Sequence, residues 1–104
     1  MTTNEVLDAL GDSTRRTLCE HLAAGPLPVG QLAQRVPVSR PAVSQHLRVL
    51  KAAGLVVARA EGNRRVYALN PLGVSVLHAW LDRIWSDALA AFKTAVEQPT
   101  QEET

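Results

Sequence analysis

The chain is poor in several residue types, and each shortage excludes something. Of its 104 residues one is cysteine, one is methionine and 4% are aromatic. A single cysteine, Cys19, cannot close an internal disulfide, which suits a reducing compartment and argues against a disulfide-held secreted scaffold. No apolar run approaches the roughly 18 residues that would span a bilayer. The opening MTTNEVLDAL has no basic start followed by an apolar block, so no signal peptide is expected and the cytoplasm is the expected location. Catalytic signatures are also missing. Ser, His and Asp occur, but none stands in a G-x-S-x-G elbow. There is no glycine-rich phosphate loop and no H-E-x-x-H pair. No enzyme activity and no cofactor are expected.

Acidic residues are scarce in one place only. Residues 13–70 hold nine basic groups (Arg15, Arg16, Arg35, Arg40, Arg48, Lys51, Arg59, Arg64 and Arg65) against Glu20 and Glu61, a local balance of 9 − 2 = +7. The rest holds Arg83 and Lys93 against eight acids, 2 − 8 = −6, and the two parts return the overall +1. A basic middle between acidic ends suggests a surface facing a polyanion.

A hydrophobic share of 46% is ordinary for a folded domain. Hydrophobic spacing predicts a short helix over 5–10, with Val6, Leu7 and Leu10 on one side. A second helix, capped by Asp12 or Ser13, runs to about Ala24 with Leu18, Cys19 and Leu22 inward. "GPLP" at 25–28 stops it. A third short helix is expected over about 30–36, with Leu32, Ala33 and Val36 apolar, and Pro37 ends it.

Ser39 then caps a fourth helix, with Pro41 in the first turn, where a missing N–H costs little. At ~100° per residue Val43, Leu47 and Leu50 share one face. The opposite face carries Pro41, Ser44, Gln45 and Arg48, flanked by Arg40 and Lys51. Gly54 ends the helix. "LVVAR" (55–59) and "RRVYAL" (64–69), joined by "AEGN", predict a β-hairpin. Pro71 opens a last helix over about 71–97. Its Leu77, Trp80, Leu81, Ile84, Trp85, Ala88, Leu89, Phe92 and Val96 cover about half its circumference, more than one small domain needs to bury. "QPTQEET" (98–104) is a polar tail. The expected organisation is one domain, 1–97, and that tail.

Two short helices joined by a tight turn and followed by a hairpin make a winged helix-turn-helix: mainly α, about five helices and one two-stranded wing. A helix fits the major groove of duplex DNA, and Ser, Gln and Arg are side chains that read base edges there. Gln45 and Arg48 are the expected base readers. Ser39, Arg40 and Ser44 lie nearer the helix start, where phosphate is also in reach. Arg64 and Arg65, beside the Gly62-Asn63 tip, are expected to clamp the backbone through charge.

The residues 12–71, above all "VSQHLRVLKAAGLV" followed by "EGNRRVYAL", resemble the ArsR/SmtB family of bacterial winged-helix repressors. The resemblance covers about residues 4–95. It implies a homodimer, a double-stranded DNA operator, and repression relieved by some signal. The stretch "LDRIWSDALAAF" is similar to the branch without metal sites, often described as autorepressor-like. Val6, Leu7 and Leu10 with Leu77, Trp80, Leu81, Ile84, Trp85, Leu89 and Phe92 are the expected dimer interface.

The family's metal sites fall on residues that cannot bind. The third-helix pair corresponds to Pro28 and Gly30. The last-helix set corresponds to Pro71, Gly73, Ile84 and Asp87, of which only Asp87 could coordinate. No metal is expected. His78 and Asp82, four apart, read as a surface pair. His46 reads as a structural residue on the inward shoulder of the fourth helix. Cys19 reads as core packing. Arg15 and Arg16 could meet phosphate or stand solvated. Two other classes of function stay open at this point. One is a protein-interaction module on the same fold, disfavoured by the basic face of the fourth helix. The other is a thiol-responsive regulator acting through Cys19.

Overall fold

The computed structural model describes residues 1–98. Helix α1 (Thr3–Ala9) opens two residues earlier than its apolar pattern indicates, because Thr2 and Glu5 form a reciprocal capping box. Asp12 caps α2 (Ser13–Leu22), its side chain accepting from Arg15 N at 3.0 Å. Helix α3 (Val29–Ala33) is shorter than expected. α4 (Arg40–Ala52) has Ser39 as its cap, and α5 (Pro71–Glu97) is capped by Asn70.

The wing is a two-stranded hairpin, as expected, but the sheet it belongs to has a third strand. β2 (Val56–Glu61) and β3 (Arg64–Leu69) pair antiparallel from Val56↔Leu69 to Glu61↔Arg64. β1 (Leu27–Pro28), ahead of α3, adds to the other side of β3, giving the order β1-β3-β2. Two residues containing a proline carry no strand pattern, and only pairing with Val66 and Tyr67 makes them one. Between β2 and β3 the loop is Gly62-Asn63. Gly62 has φ 63° and, among the described residues, no non-glycine residue has positive φ, the sense of a type II′ turn.

Val6, Leu18, Leu22, Leu32, Val43, Leu47, Leu50, Leu55 and Val56 form the centre of one core. Every helix but α5 lends it fully inward side chains. α5 contributes differently. Gly73 in its first turn lies against the Gly54–Leu55 backbone, and Val76 and Leu77 pack at the edge of the core. From Leu81 onward every described residue of α5 is exposed. A 27-residue helix is ~40 Å long, so most of α5 projects as an arm. The radius of gyration is accordingly 19.2 Å, against ~13 Å for a compact domain of this length. Among the described residues no helix is long and apolar enough to cross a membrane. The tail expected at 98–104 lies, from residue 99 on, outside the described residues.

Candidate nucleic-acid interface

α4 presents the two faces its spacing predicts. Val43, Leu47 and Leu50 are fully buried, and Arg40, Pro41, Gln45 and Arg48 are exposed. Ser44 is half-buried between them. Ser39 serves as the cap, its hydroxyl accepting from Ala42 N at 3.3 Å. Gln45 and Arg48 stand one turn apart, and an Arg48 Nη1 hydrogen donates to the Gln45 side-chain carbonyl. The two expected readers thus form a linked pair on the solvent side.

The wing stands beside this face. Ser44, Arg48, Lys51, Arg65 and Tyr67 line a groove of about 320 Å³ between α4 and β3. A second cleft, about 440 Å³, opens between α3, the start of α4 and the wing tip, lined by Gln31, Gln34, Arg40, Asn63, Arg64 and Arg65 among others. Gln31 and Gln34, which line this cleft, are not among the residues expected from the sequence. Their signal was present: they are polar, three apart, and flank the buried Leu32.

Arg64 and Arg65, neighbours with one expected role, are not equivalent in the structure. Residues paired across an antiparallel ladder share a face, and neighbours along a strand alternate. Arg64 pairs with Glu61 and Arg65 with Ala60, so they project from opposite faces. Glu61 accepts from Arg59 Nε and Nη2 at 3.1 and 2.8 Å and from Arg64 Nη2 at 3.3 Å. Arg59, foremost through its hydrogen bonds, holds the Glu61 carboxyl below the usual carboxylate range.

Arg15 and Arg16 turn away from this surface. Arg15 Nε donates to Ala9 O at 2.6 Å and Arg16 Nη1 to Leu10 O at 2.8 Å, so both satisfy carbonyls at the end of α1. Arg15 Nη1 also lies 3.4 Å from His46 Nδ1, with Asp12 Oδ1 4.0 Å from that nitrogen. His46 is therefore braced from behind α4. Cys19 is half-buried beside the core, and burial, aided by Glu20, pushes its pKa up to about 11. His78 Nδ1 and Asp82 Oδ2 are 3.5 Å apart on the exposed side of α5.

The residues expected at a dimer interface divide. Leu81, Ile84, Trp85, Leu89 and Phe92 are exposed, Trp85 by 66% and Phe92 by 67%. Leu7, Leu10, Leu77 and Trp80 are half-buried, with Leu10 and Leu77 packed against the core. Val6 is a correction. It is fully buried within its own chain, because α1 lies between α4 and α5 and turns that side chain inward.

A Helix-turn-helix domain model matches residues 10–59. The chain is 55% identical over 89 residues to the HTH-type transcriptional regulator Rv2034 of Mycobacterium tuberculosis, spanning 86% of this chain and 83% of that one. It also superposes on an ArsR-like transcriptional regulator from Rhodococcus sp. RHA1 with a TM-score of 0.73 and 33% identity, covering 93% of this chain and 94% of the other. The chain belongs to the ArsR family of helix-turn-helix transcriptional regulators. The chain is also 34% identical over 67 residues to the transcriptional repressor SdpR of Bacillus subtilis, spanning 64% of this chain and 74% of that one. The ArsR fold recurs in the homodimeric winged helix-turn-helix DNA-binding domain Mb0332 of Mycobacterium bovis, at TM-score 0.64 and 26% identity over 94% of this chain and 84% of that domain. In this ArsR-family chain α3 and α4 are the helix-turn-helix, and β2–β3 is the wing.

Proposed function

We propose that this regulator is a cytoplasmic homodimeric repressor, not an enzyme, that binds a palindromic operator through α4 and the wing, with residues 1–97 acting as one DNA-binding and dimerisation domain. The observation that carries the reading is the exposed Gln45–Arg48 pair on α4, opposite the buried Val43-Leu47-Leu50 face. Arg can pair bidentately with guanine, and the Gln amide can still offer its N–H groups to a base acceptor. Ser39, Arg40 and Ser44 at the helix start, and Arg64 and Arg65 on the wing, supply phosphate contacts. Gln31 and Gln34 join them from α3.

The exposed α5 arm supports the homodimer. Leu81, Ile84, Trp85, Leu89 and Phe92 fall on one side at helical spacing, and an apolar stripe of this kind on a soluble chain marks an association surface. Leu7, at the outer side of α1, borders it. A two-fold dimer places two α4 helices against one side of a duplex, so half-sites lie about one turn, ~34 Å, apart or slightly more. Occupying an operator in this way excludes other proteins from it, which is how a ligand-free DNA binder represses.

The test starts with a footprint on the DNA upstream of its own gene. Binding titrations then compare Gln45→Ala and Arg48→Ala on the footprinted operator and on random duplex. Each variant should lose roughly 1–3 kcal/mol on the operator and much less on random DNA. Absence of salt-dependent binding to duplex DNA by the unaltered protein would instead favour a protein-interaction module.

A further inference from the structure

Between Glu20 and Asp82 the chain has a single acid, Glu61. It stands on the wing, within the surface that the reading above turns toward DNA. A carboxylate facing a polyanion opposes binding, so its place there needs a reason. The hairpin does not depend on it, since Gly62 makes the turn and the ladder down to Val56↔Leu69 is closed by backbone pairing.

Its contacts supply the reason. Oε2 takes Arg59 through two N–H groups, and Oε1 takes Arg64. Each oxygen of the carboxylate thus occupies one guanidinium, as two oxygens of a backbone phosphate would. Arg59, Glu61 and Arg64 share one face of the ladder, by pairing and by two-residue spacing. Arg65 projects from the other face and has no carboxylate partner among the described residues.

We infer that Glu61 is an internal stand-in for a DNA phosphate: it holds Arg59 and Arg64 together in the free protein, must be displaced when the wing meets the backbone, and so lowers affinity for DNA of any sequence. The inference rests on the DNA-binding reading above. All three side chains are exposed, and exposed ion pairs are weak, so displacement is inexpensive and the arginines are not locked away. The carboxylate stays ionised through the neutral range, because Arg59 and Arg64 hold its pKa low. Trimming the sequence-independent grip leaves the base contacts of Gln45 and Arg48 a larger share of total binding, which is what a regulator competing against random genomic DNA requires.

The experiment uses the full chain and a random-sequence duplex of about three helical turns, so no operator need be known. Glu61→Gln keeps the size and a hydrogen-bonding oxygen and removes the charge. Glu61→Thr, suited to a strand, repeats the measurement with an unrelated side chain. Thermal unfolding establishes that both variants keep the fold. Between ~50 and ~200 mM salt each variant should bind roughly three- to tenfold tighter at the low-salt end, with a log K against log salt slope steeper by about 0.9 for each arginine released. In an Arg59→Ala/Arg64→Ala background the same changes should alter affinity less than about twofold, since no guanidinium is left to withhold. Unchanged affinity would reduce Glu61 to a surface residue. Weaker binding would make it an organiser of the arginines rather than their competitor. A full gain in the double-alanine background would mean plain repulsion. Each of these overturns the inference. Failure of the unaltered protein to bind the duplex in a salt-dependent way would instead sink the DNA-binding reading itself.

Discussion

Replacing Gly73 with alanine should destabilise the protein, although helix propensity alone predicts the opposite. Gly73 lies inside the first turn of α5, where alanine is favoured over glycine by about 1 kcal/mol. A Cβ there would stand 2.8 Å from the Gly54 carbonyl carbon and 3.0 Å from Leu55 Cα. These are backbone atoms, which cannot swing aside as a side chain can. Neither side can retreat freely, since Leu55 N donates to Leu50 O at 3.0 Å and Asn70 N donates to Leu55 O at 2.8 Å, tying the α4–β2 turn to the start of α5. Overpacking of this kind costs about 1–3 kcal/mol, and a clash with fixed backbone belongs at the upper end. After the propensity gain the net loss should be about 1–2 kcal/mol, or roughly 4–8 °C in Tm per kcal/mol for a domain of this size. Gly30→Ala is the internal reference. A Cβ at Gly30 meets nothing within 4 Å, so that variant should be neutral or gain up to about 1 kcal/mol. Thermal unfolding of the three proteins at one protomer concentration decides the matter, the concentration being fixed because a dimer's Tm depends on it. A Gly73→Ala protein as stable as the Gly30→Ala protein would refute the close approach of α5 to the Gly54–Leu55 backbone.

Arg15→Ala should lose the bond to Ala9 O and cost about 1.5–3 kcal/mol in urea unfolding, while leaving the salt dependence of DNA binding unchanged. A shallower salt slope would mean that Arg15 reaches phosphate after all. Trp85→Glu and Leu89→Glu should give folded monomers, because both side chains are exposed in the single chain and only a partner would bury the new charge unpaired. Clean dimers of both in ultracentrifugation would remove the α5 arm from the interface. For Cys19, burial raises the folded pKa from 9.0 to about 11. The neutral thiol is thus favoured by folding, and its contribution is complete below pH 9 and lost as pH rises through about 11. Stability relative to Cys19→Ala should fall across that window only, and alkylation of the folded protein at neutral pH should be slow. Fast alkylation accompanied by DNA release would revive a thiol-responsive role.

Much of the architecture was legible in the chain because it is decided by neighbours in sequence. Ser39 caps α4, Gly54 ends it, Pro71 starts α5 and Gly62-Asn63 turns the wing. Each of these acts on backbone groups within a few residues of itself. The inward set Val43, Leu47 and Leu50, and with it the outward set Gln45 and Arg48, follows from a 3.6-residue period that needs no knowledge of the partner elements. Other features depend on which element lands beside which, and no local pattern carries that. β1 exists only because α3's approach lies against Val66 and Tyr67. Val6 belongs to the core because α1 is wedged between α4 and α5, whereas its spacing with Leu7 and Leu10 suggested only an apolar face. Arg15 and Arg16 are absorbed by the free carbonyls ending α1, which the turn at Gly11 brings back toward α2. Arg64 and Arg65 look alike in sequence and are divided by strand register: one side chain meets Glu61, while the next, on the opposite pleat, meets the groove beside α4. Hydrogen-bonding and charge partners at such positions come from distant parts of the chain, so only the tertiary structure could decide them.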